Sequence, residues 1–491
     1  MKTIQLFTLV LLTFSFFSYS QDGTIDLSFG EEGIAITNFN DEQSFITGVG
    51  QLSNNNIVVV GKIRIEAILQ TVLVKYFPSG ELDLSFGDDG VLLLNYNTSN
   101  NKTPIIIQND DKIIIASQPN GTNENYIKIA RYMQNGELDP SFGNNGFVET
   151  EISDLNGFSR LLLQPNGKII LFGANNTNEK IYIARFLPNG LLDDTFGENG
   201  IAIYFSNINL GSWNSFQLKN DGKIIILINI DYQGNEVMFL QYLPNGELDA
   251  SFGDNGILLL DTSGYFIYKN AFTVKENGSI VVVSGEQSKT IIMRLLSNGA
   301  IDTTYGDNGK TELLFDALRP EELFVNTDNK LLIYSQTWDN QGESSTFELI
   351  RVDENGVLDN SFGENGSITT GIESSDVILQ NDGKILGVGN TYWFWGGEDF
   401  MLVRYHNNGS LGVTEQNENE MIIYPNPSNG IFKVNHDFIS SDIQYQITDI
   451  TGKIIQIGKL SGEQTEINLI NVTSGIYFFK ASNNILKLLK K

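Results

Sequence analysis

Seven aspartates recur at nearly equal spacing along this chain of 491 residues, and a regular array of carboxylates could supply catalytic groups or metal ligands. They are Asp26, Asp83, Asp139, Asp193, Asp249, Asp302 and Asp359, at spacings of 57, 56, 54, 56, 53 and 57 residues. A period this regular indicates an internal repeat, in which residues recur because copies stack. We therefore expect these aspartates to pair with cations and to shape turns, rather than to form a catalytic or metal-binding array.

A cation lies eight residues before most of these aspartates. The residues at this position are Lys75, Arg131, Arg185, Gln241, Arg294 and Arg351, and Arg404 is their counterpart in the last unit. A three-residue hairpin loop such as Pro244-Asn245-Gly246 would set residue 241 opposite Asp249 on adjacent strands. The other units then carry a cross-strand ion pair at this position.

One glycine-rich loop crowds three carboxylates, Asp83, Asp88 and Asp89, and oxygen ligands of this kind suit calcium. The pair equivalent to Asp88 and Asp89 one unit later is Asn144-Asn145, so the loop does not require the charge. We predict no cofactor, and calcium is the alternative that these loose oxygen ligands leave open.

Short apolar runs between Gly and Asn clusters predict β-strands and very little helix. In the second unit the predicted strands are Val91 to Tyr96, Thr103 to Gln108, Lys112 to Ser117 and Tyr126 to Met133. Tight Asn-Gly-Lys turns indicate that each unit is a four-stranded antiparallel meander. Four strands per repeat are typical of a propeller blade, so residues 21–411 are predicted to form an all-β, seven-bladed β-propeller.

The two ends of the repeat region complement each other. The last unit stops at Asn408-Gly409-Ser410-Leu411 without its Ser-Phe-Gly, whereas that triplet is present near the N-terminus at Ser28-Phe29-Gly30. We expect the N-terminal piece to complete the seventh blade, which would remove open sheet edges. An open solenoid is the alternative architecture.

All four tryptophans of the chain lie in the less repetitive connections, which should occupy the propeller face opposite the repeated turns. The candidate ligand-binding residues are Trp393, Trp395, Tyr392, Trp338 and Trp213. Aromatic rings there suit sugar rings or a protein surface, and packing at the blade ends is the alternative. The neighbouring Glu398 and Asp399 could offer an acid and a base, although adjacent strand residues usually point to opposite faces.

Composition narrows the class of partner. The formal net charge of -28 argues against nucleic acid, and the absence of cysteine excludes thiol catalysis and disulfides. Residues 1–20 read as a signal peptide, with Lys2 before an apolar run and small residues at the cleavage positions. No later segment is long and apolar enough to span a bilayer, so a secreted or cell-surface location is predicted.

Several repeated elements resemble a known family. Arg-Tyr/Phe, Asn-Gly-Glu-Leu-Asp, Ser-Phe-Gly and Asn-Gly-Lys-Ile-Ile are similar to the delta-60 repeat of bacterial surface proteins, over about Asp22 to Leu411. The resemblance implies a propeller-like extracellular repeat and brings no general catalytic motif.

A second domain is predicted at residues 421–491, after a polar linker at 412–420. Its strands and turns suggest a small Ig-like β-sandwich. The motifs Tyr424-Pro425-Asn426-Pro427, Ile447-Thr448-Asp449 and Ser474-Gly475-Ile476-Tyr477 resemble the type A sorting domain of the type IX (Por) secretion system of Bacteroidota. This resemblance implies the type IX secretion machinery and a sortase-like peptidase as partners, and final release or attachment outside the outer membrane.

The sequence contains no nucleophile elbow, histidine cluster or phosphate-binding loop. We therefore predict a non-catalytic binding or adhesion propeller, with a glycan or a protein as ligand on the variable face. The alternatives are an extracellular polysaccharide-degrading enzyme and a structural cell-envelope repeat protein.

Overall fold

The following description rests on a computed structural model of the chain. It describes residues 22–39, 43–65, 68–97, 103–118, 126–152, 155, 157–175, 179–206, 215–230, 236–261, 270–285, 289–314, 318–338, 345–370, 373–391, 399–407, 422–424, 428–435, 444–449, 453–460, 464–473, 475–481 and 484–491. The chain divides into two compact units, Met1–Gly409 and Ser410–Lys491. No helix within these described ranges is long and apolar enough to cross a membrane.

Seven four-stranded antiparallel sheets, numbered here as blades 1 to 7, make up the first unit. Blades 1 to 3 consist of Ser44–Gln51, Ile57–Ile65, Ile68–Tyr76 and Val91–Asn97 (β2 to β5), Ile105–Ile107, Ile113–Ser117, Tyr126–Tyr132 and Phe147–Glu151 (β6 to β9), and Gly157–Leu163, Ile169–Ala174, Lys180–Phe186 and Ile201–Phe205 (β10 to β13). Blades 4 to 6 consist of Ser215–Leu218, Ile224–Asn229, Glu236–Tyr242 and Ile257–Asp261 (β14 to β17), Asn270–Val274, Ile280–Gly285, Thr290–Leu295 and Lys310–Leu313 (β18 to β21), and Arg319–Val325, Leu331–Trp338, Ser345–Val352 and Ser367–Thr370 (β22 to β25). Blade 7 consists of Glu373–Leu379, Ile385–Asn390 and Phe400–Tyr405 (β26 to β28), with Ile34–Thr37 (β1) as its fourth strand.

Each blade has a continuous apolar middle and a half-exposed outer strand. In β15 all six residues are buried, because both faces of a blade pack against neighbouring blades. In the fourth strand β13, by contrast, only Ala202 is buried, and Ile203 and Phe205 are exposed. Stacking also explains a repeated glycine: Gly246 has a positive φ of 90°, and a Cβ there would lie 3.0 Å from the ring of Phe196 in the preceding blade.

The N-terminal strand closes the ring. β1 pairs with β28 in an antiparallel register that matches Ile34 to Val403, and the Gly23 N–H donates to the carbonyl of His406. The predicted seven-bladed propeller, completed by the N-terminal segment, is therefore confirmed.

The predicted grouping of strands within one repeat was wrong by one strand. Val91–Asn97 pairs with Ile68–Tyr76 and is the fourth strand of blade 1, whereas the next sheet begins at Ile105–Ile107. The Asp phrase therefore joins the third and fourth strands of a single blade instead of separating two blades. The sequence repeat and the structural blade have the same length and differ in phase.

The first strands of the blades form the inner ring of the propeller, and β2, for example, lies beside β6 and β26. A β-bulge interrupts the first strand of blades 1, 3, 6 and 7 near its middle. A bulge re-aims the side chain that follows it. Arg160, Glu322 and Asp376 each directly follow such a bulge, as the fourth residue of a seven-residue strand.

The second unit contains two sheets and its own core. One sheet consists of Ile422–Tyr424, Ile431–Asn435 and Gln464–Asn468 (β29, β30 and β33), and the other of Gln444–Asp449, Ile454–Lys459, Gly475–Ala481 and Asn484–Lys490 (β31, β32, β34 and β35). Phe432, Ile447 and Phe479 are fully buried in its hydrophobic core. Two antiparallel sheets around one core agree with the predicted small β-sandwich.

Candidate functional site

Each repeated aspartate is the centre of a local hydrogen-bond network. In blade 2, Oδ1 of Asp139 accepts hydrogen bonds from the N–H and the hydroxyl of Ser141, at 3.0 and 2.7 Å. Its Oδ2 accepts from Nε of Arg131 at 2.9 Å and lies 3.2 Å from the ammonium of Lys112. Burial alone would raise the pKa of Asp139, but these hydrogen bonds and the charge of Arg131 hold it well below its usual value.

The same arginines connect neighbouring blades. Nη1 of Arg131 donates to the carbonyl of Pro188 in blade 3 at 2.6 Å, and Arg404 of blade 7 donates in the same way to Pro78 of blade 1. Each guanidinium also lies over the aromatic ring of its own Asp phrase, as Arg131 does over Phe142 at 4.6 Å. The repeated ion pair thus stabilises both a hairpin and a junction between blades.

Blade 4 achieves the same connection with different residues. Gln241 occupies the arginine position and donates to Asp249 at 2.7 Å. Lys219, whose counterparts in blades 2, 3 and 7 are glutamines, donates to Gln241 at 2.9 Å and to the carbonyl of Ser297 in blade 5 at 3.3 Å. In blade 4 the positive charge is therefore carried by Lys219 instead of an arginine at position 241, and Lys219 makes the hydrogen bond to the next blade.

A cluster of charged side chains lies where the first strands meet around the propeller axis. Arg160 of blade 3 donates a hydrogen bond to Glu322 of blade 6. These blades are not neighbours in the ring, so the two side chains meet across the axial channel. Arg160 keeps 34% and Glu322 keeps 21% of its side chain exposed, which indicates that the channel admits water.

Asp376 of blade 7 lies in the same cluster. Its Oδ2 accepts from the N–H of Val49 in blade 1 at 3.1 Å, and its Oδ1 accepts from the N–H of Val377 at 3.0 Å. Burial and the nearby charge of Glu322 raise the pKa of Asp376 to about 7, although Arg160 and the backbone hydrogen bonds oppose this shift. The charge of Glu322 in turn raises the pKa of Arg160.

This axial cluster places two carboxyl groups in different surroundings. Burial and the charge of Glu322 raise the pKa of Asp376, whereas Glu322 binds the guanidinium of Arg160. A carboxyl group whose pKa is raised by burial and by a neighbouring carboxylate is typical of acid–base sites. The axial channel is therefore our candidate functional site.

None of the three residues of this site was predicted from the sequence, although a signal was present. Each stands four positions before the first residue of its turn, namely Gln164, Asn326 and Gln380. Charges at one repeat position within apolar first strands could have been recognised as facing the axis. Their separation along the chain hid that they meet.

The predicted ligand-binding aromatic residues cannot be placed in a site. Trp213, Tyr392, Trp393 and Trp395 lie outside the described residues, and Trp338 is the last residue of β23. Of the other predicted acid–base pair, Glu398 is also outside them, and Oδ1 of Asp399 accepts from the amide of Asn38 at 2.9 Å.

The aspartate loop considered for calcium contains a lysine as partner of its first carboxylate. Asp83 lies 3.0 Å from the ammonium of Lys75 and accepts from the hydroxyl of Ser85. In the part of the chain that the structure describes, no group of three or more His, Cys, Asp or Glu is arranged to hold a metal ion.

Comparison with solved structures identifies distant likenesses. The polysaccharide lyase Uly1 is 11% identical with a TM-score of 0.48, over 74% of this chain and 90% of the lyase. A family GH43 β-1,3-galactosidase is 9% identical with a TM-score of 0.31, over 54% of this chain and 95% of the other. PorZ, a surface component of the type IX secretion system of Porphyromonas gingivalis, is 12% identical with a TM-score of 0.34, over 90% of this chain and 59% of PorZ.

These likenesses correct one prediction. The sequence had been taken to indicate that the protein is not an enzyme. This prediction was wrong, because solved structures similar to the chain include a polysaccharide lyase and a glycosidase. No curated protein sequence matches the chain.

Two family models match the sequence itself. Residues 108–142, 164–196, 327–362 and 380–411 match a domain of unknown function (DUF5122) that is described as a β-propeller. Residues 422–491 match the secretion system C-terminal sorting domain. The chain is therefore a β-propeller protein with a C-terminal type IX sorting domain, which directs its export to the cell surface or the medium.

Proposed function

We propose that this exported propeller acts on an extracellular carbohydrate, and that the axial cluster cleaves a glycosidic bond with Asp376 as proton donor. The observation that carries the proposal is the contrast between Asp376, whose pKa is raised to about 7, and Glu322, which is paired with Arg160. In this arrangement Glu322 supplies the second carboxyl group, as general base or nucleophile. Arg160 orients Glu322 through the hydrogen bond between them.

Glycosidic cleavage is the reaction class that this set of residues fits best. It requires one carboxylic acid to protonate the leaving oxygen and one carboxylate on the other side of the sugar ring. Export by the sorting domain supports the proposal, because polymeric glycans are met outside the cell.

We infer that the seven repeated aspartates are structural. The pairs of Asp139 with Arg131 and of Asp193 with Arg185 support this inference, because each aspartate is almost completely buried and its oxygens accept hydrogen bonds from neighbouring protein groups. Their almost complete burial keeps these two aspartates away from a substrate, whereas Asp376 is only partly buried. Binding of a glycan or protein by Trp393 and Trp395 stays a separate prediction, and their replacement by Ala tests it.

The experiment is the release of reducing ends from a panel of extracellular polysaccharides by the full chain. Activity on one substrate class should be lost in Asp376→Asn and in Glu322→Gln, while the exposed-site variant Glu198→Gln should keep it. Thermal unfolding of each variant checks that the fold is retained. Absence of release from every polysaccharide, or full activity in a folded Asp376→Asn protein, would reject the proposal.

A further inference from the structure

Two clefts of equal size lie on the face of the propeller that carries the Asp phrases and the turns between the first and second strands of each blade. Each has a volume of about 440 Å³, which is within the range of small-ligand sites. The cleft between blades 2 and 3 is lined by Asp110, Lys112, Arg131, Gly167 and Asn189. The cleft between blades 4 and 5 is lined by their repeat equivalents Asp221, Lys223, Gln241, Gly278 and Asn298. They are two copies of one arrangement.

Both clefts contain an asparagine whose side-chain oxygen is hydrogen-bonded and whose side-chain NH2 group remains available as a donor. Oδ1 of Asn189 accepts from the N–H of Leu191 at 3.2 Å, and Oδ1 of Asn298 accepts from the N–H of Ala300 at 3.1 Å. Their side-chain N–H groups donate to no other group within the described residues. Both asparagines are exposed, so these donors can reach a ligand in the cleft.

Other copies of the same hairpin engage this amide. Asn135 donates to Glu137 at 3.0 Å, and Asn245 donates to Glu247 at 2.9 Å. The difference lies two residues after the asparagine, where Glu is replaced by Leu191 or Ala300 in the hairpins that border the two clefts. Because the side chains of Leu and Ala cannot accept a hydrogen bond, the side-chain N–H groups of Asn189 and Asn298 remain available at the two clefts.

The charges in the clefts are balanced. In the first, the ammonium of Lys112 lies 3.0 Å from Asp110 and 3.2 Å from Asp139. The second cleft has three ammonium groups and three carboxylates in or beside it. The ammonium groups are those of Lys219, Lys223 and Lys275, and the carboxylates are those of Asp221, Asp249 and Glu276. Carboxylate acceptors beside amide donors match hydroxyl groups, which both donate and accept. The arrangement suits a neutral polyhydroxylated ligand better than an anion.

Among the described residues that line them, neither cleft offers an aromatic ring. Without stacking on a sugar ring, hydrogen bonds exposed to water give weak binding at each cleft. Because both clefts lie on one face, a polymer that occupies the first can also reach the second, and the second contact then profits from a high effective concentration. Two weak sites are therefore suited to a polysaccharide rather than to a free monosaccharide.

We propose that the clefts between blades 2 and 3 and between blades 4 and 5 are a pair of saccharide-binding sites for a neutral polysaccharide. The pair is separate from the axial carboxyl groups and does not depend on their activity. It holds the polymer on the propeller through Asn189 and Asn298.

The repeat itself provides a conservative test. The double substitution Leu191→Glu and Ala300→Glu recreates the Asn-Gly-Glu sequence of the other hairpins and should engage both amides without disturbing the fold. We expect the full chain to be retarded in native gels containing dextran, laminarin or xylan. The double variant should bind the retarding polysaccharide at least tenfold more weakly, with each single variant between the two.

Two controls separate this binding from other effects. The reciprocal substitutions Glu137→Leu and Glu247→Ala release the amides of Asn135 and Asn245, so retardation should not weaken. In the Asp376→Asn background, whose axial channel can still bind a sugar, Leu191→Glu and Ala300→Glu together should weaken retardation by the same factor, which assigns the loss to the clefts. Equal retardation of the wild type and the Leu191→Glu, Ala300→Glu variant would overturn the proposal. So would no retardation in any neutral gel, or stronger retardation in polygalacturonate.

Discussion

Replacing Asp376 by Asn should make the propeller increasingly more stable than the wild type as the pH rises. In the folded protein, burial and the charge of Glu322 raise the pKa of Asp376 to about 7, from an ordinary value of 3.8. Between these values the unfolded chain has lost the proton and the folded protein has kept it. The folded state binds more protons, so the wild type loses stability as the pH rises through this window.

The expected size follows from the two pKa values. Each pKa unit corresponds to about 1.4 kcal/mol, and the loss of stability stops once the folded carboxyl ionises near pH 7. Between pH 5 and pH 8, the unfolding free energy of the variant minus that of the wild type should rise by about 3 kcal/mol. Asparagine cannot ionise, so any constant packing effect of the substitution cancels in this comparison.

The assay is chemical denaturation of both proteins at pH 5, 6, 7 and 8, followed by tryptophan fluorescence. The exposed-site variant Glu198→Gln serves as the control and should differ from the wild type by the same amount at every pH. A constant difference between Asp376→Asn and the wild type would show that Asp376 ionises normally. The acid–base interpretation of the axial cluster would then be refuted.

Three further predictions concern the structural network. Arg351→Met removes the partner of two carboxylates from a fully buried position and should lower the unfolding free energy by about 3 to 5 kcal/mol. The matched substitution Arg294→Met, at a side chain that is 23% exposed, should lower it by about 1 kcal/mol. Lys219→Gln and Gln241→Arg should each destabilise blade 4, but the double variant recreates the arrangement of other blades, so a double-mutant cycle should show a favourable coupling of about 1 to 2 kcal/mol. Deletion of residues 22–39 should leave blade 7 with an open edge, and gel filtration should show association of the shortened protein.

The propeller architecture could be predicted because the same strand and turn pattern recurs in each of the seven units of the sequence. The period of the Asp phrase gave the number of blades, and the incomplete last unit gave the closure by the N-terminal strand. The phase was missed, because nothing in the sequence of Val91–Asn97 says whether that strand pairs with the strand before it or after it. The long loop of the Asp phrase was read as a boundary, yet it joins two paired strands.

The axial site could not be found in the same way. Arg160 and Glu322 are 162 residues apart, and only the closed ring brings them together. Repeat analysis favours positions that stay the same in every unit, whereas a site in a pseudo-symmetric ring depends on positions that differ. The exchange of Lys219 with Gln241 was missed for a related reason, since each residue taken alone looks like a loss of the pattern.

The most direct measurement is a crystal structure of the Asp376→Asn protein soaked with an oligosaccharide of the polysaccharide that the wild type cleaves. The account predicts a sugar in the axial channel, with a glycosidic oxygen within hydrogen-bond distance of residue 376 and Glu322 beside the same ring. An oligosaccharide bound only in the clefts between blades, or only on the opposite face, would contradict it.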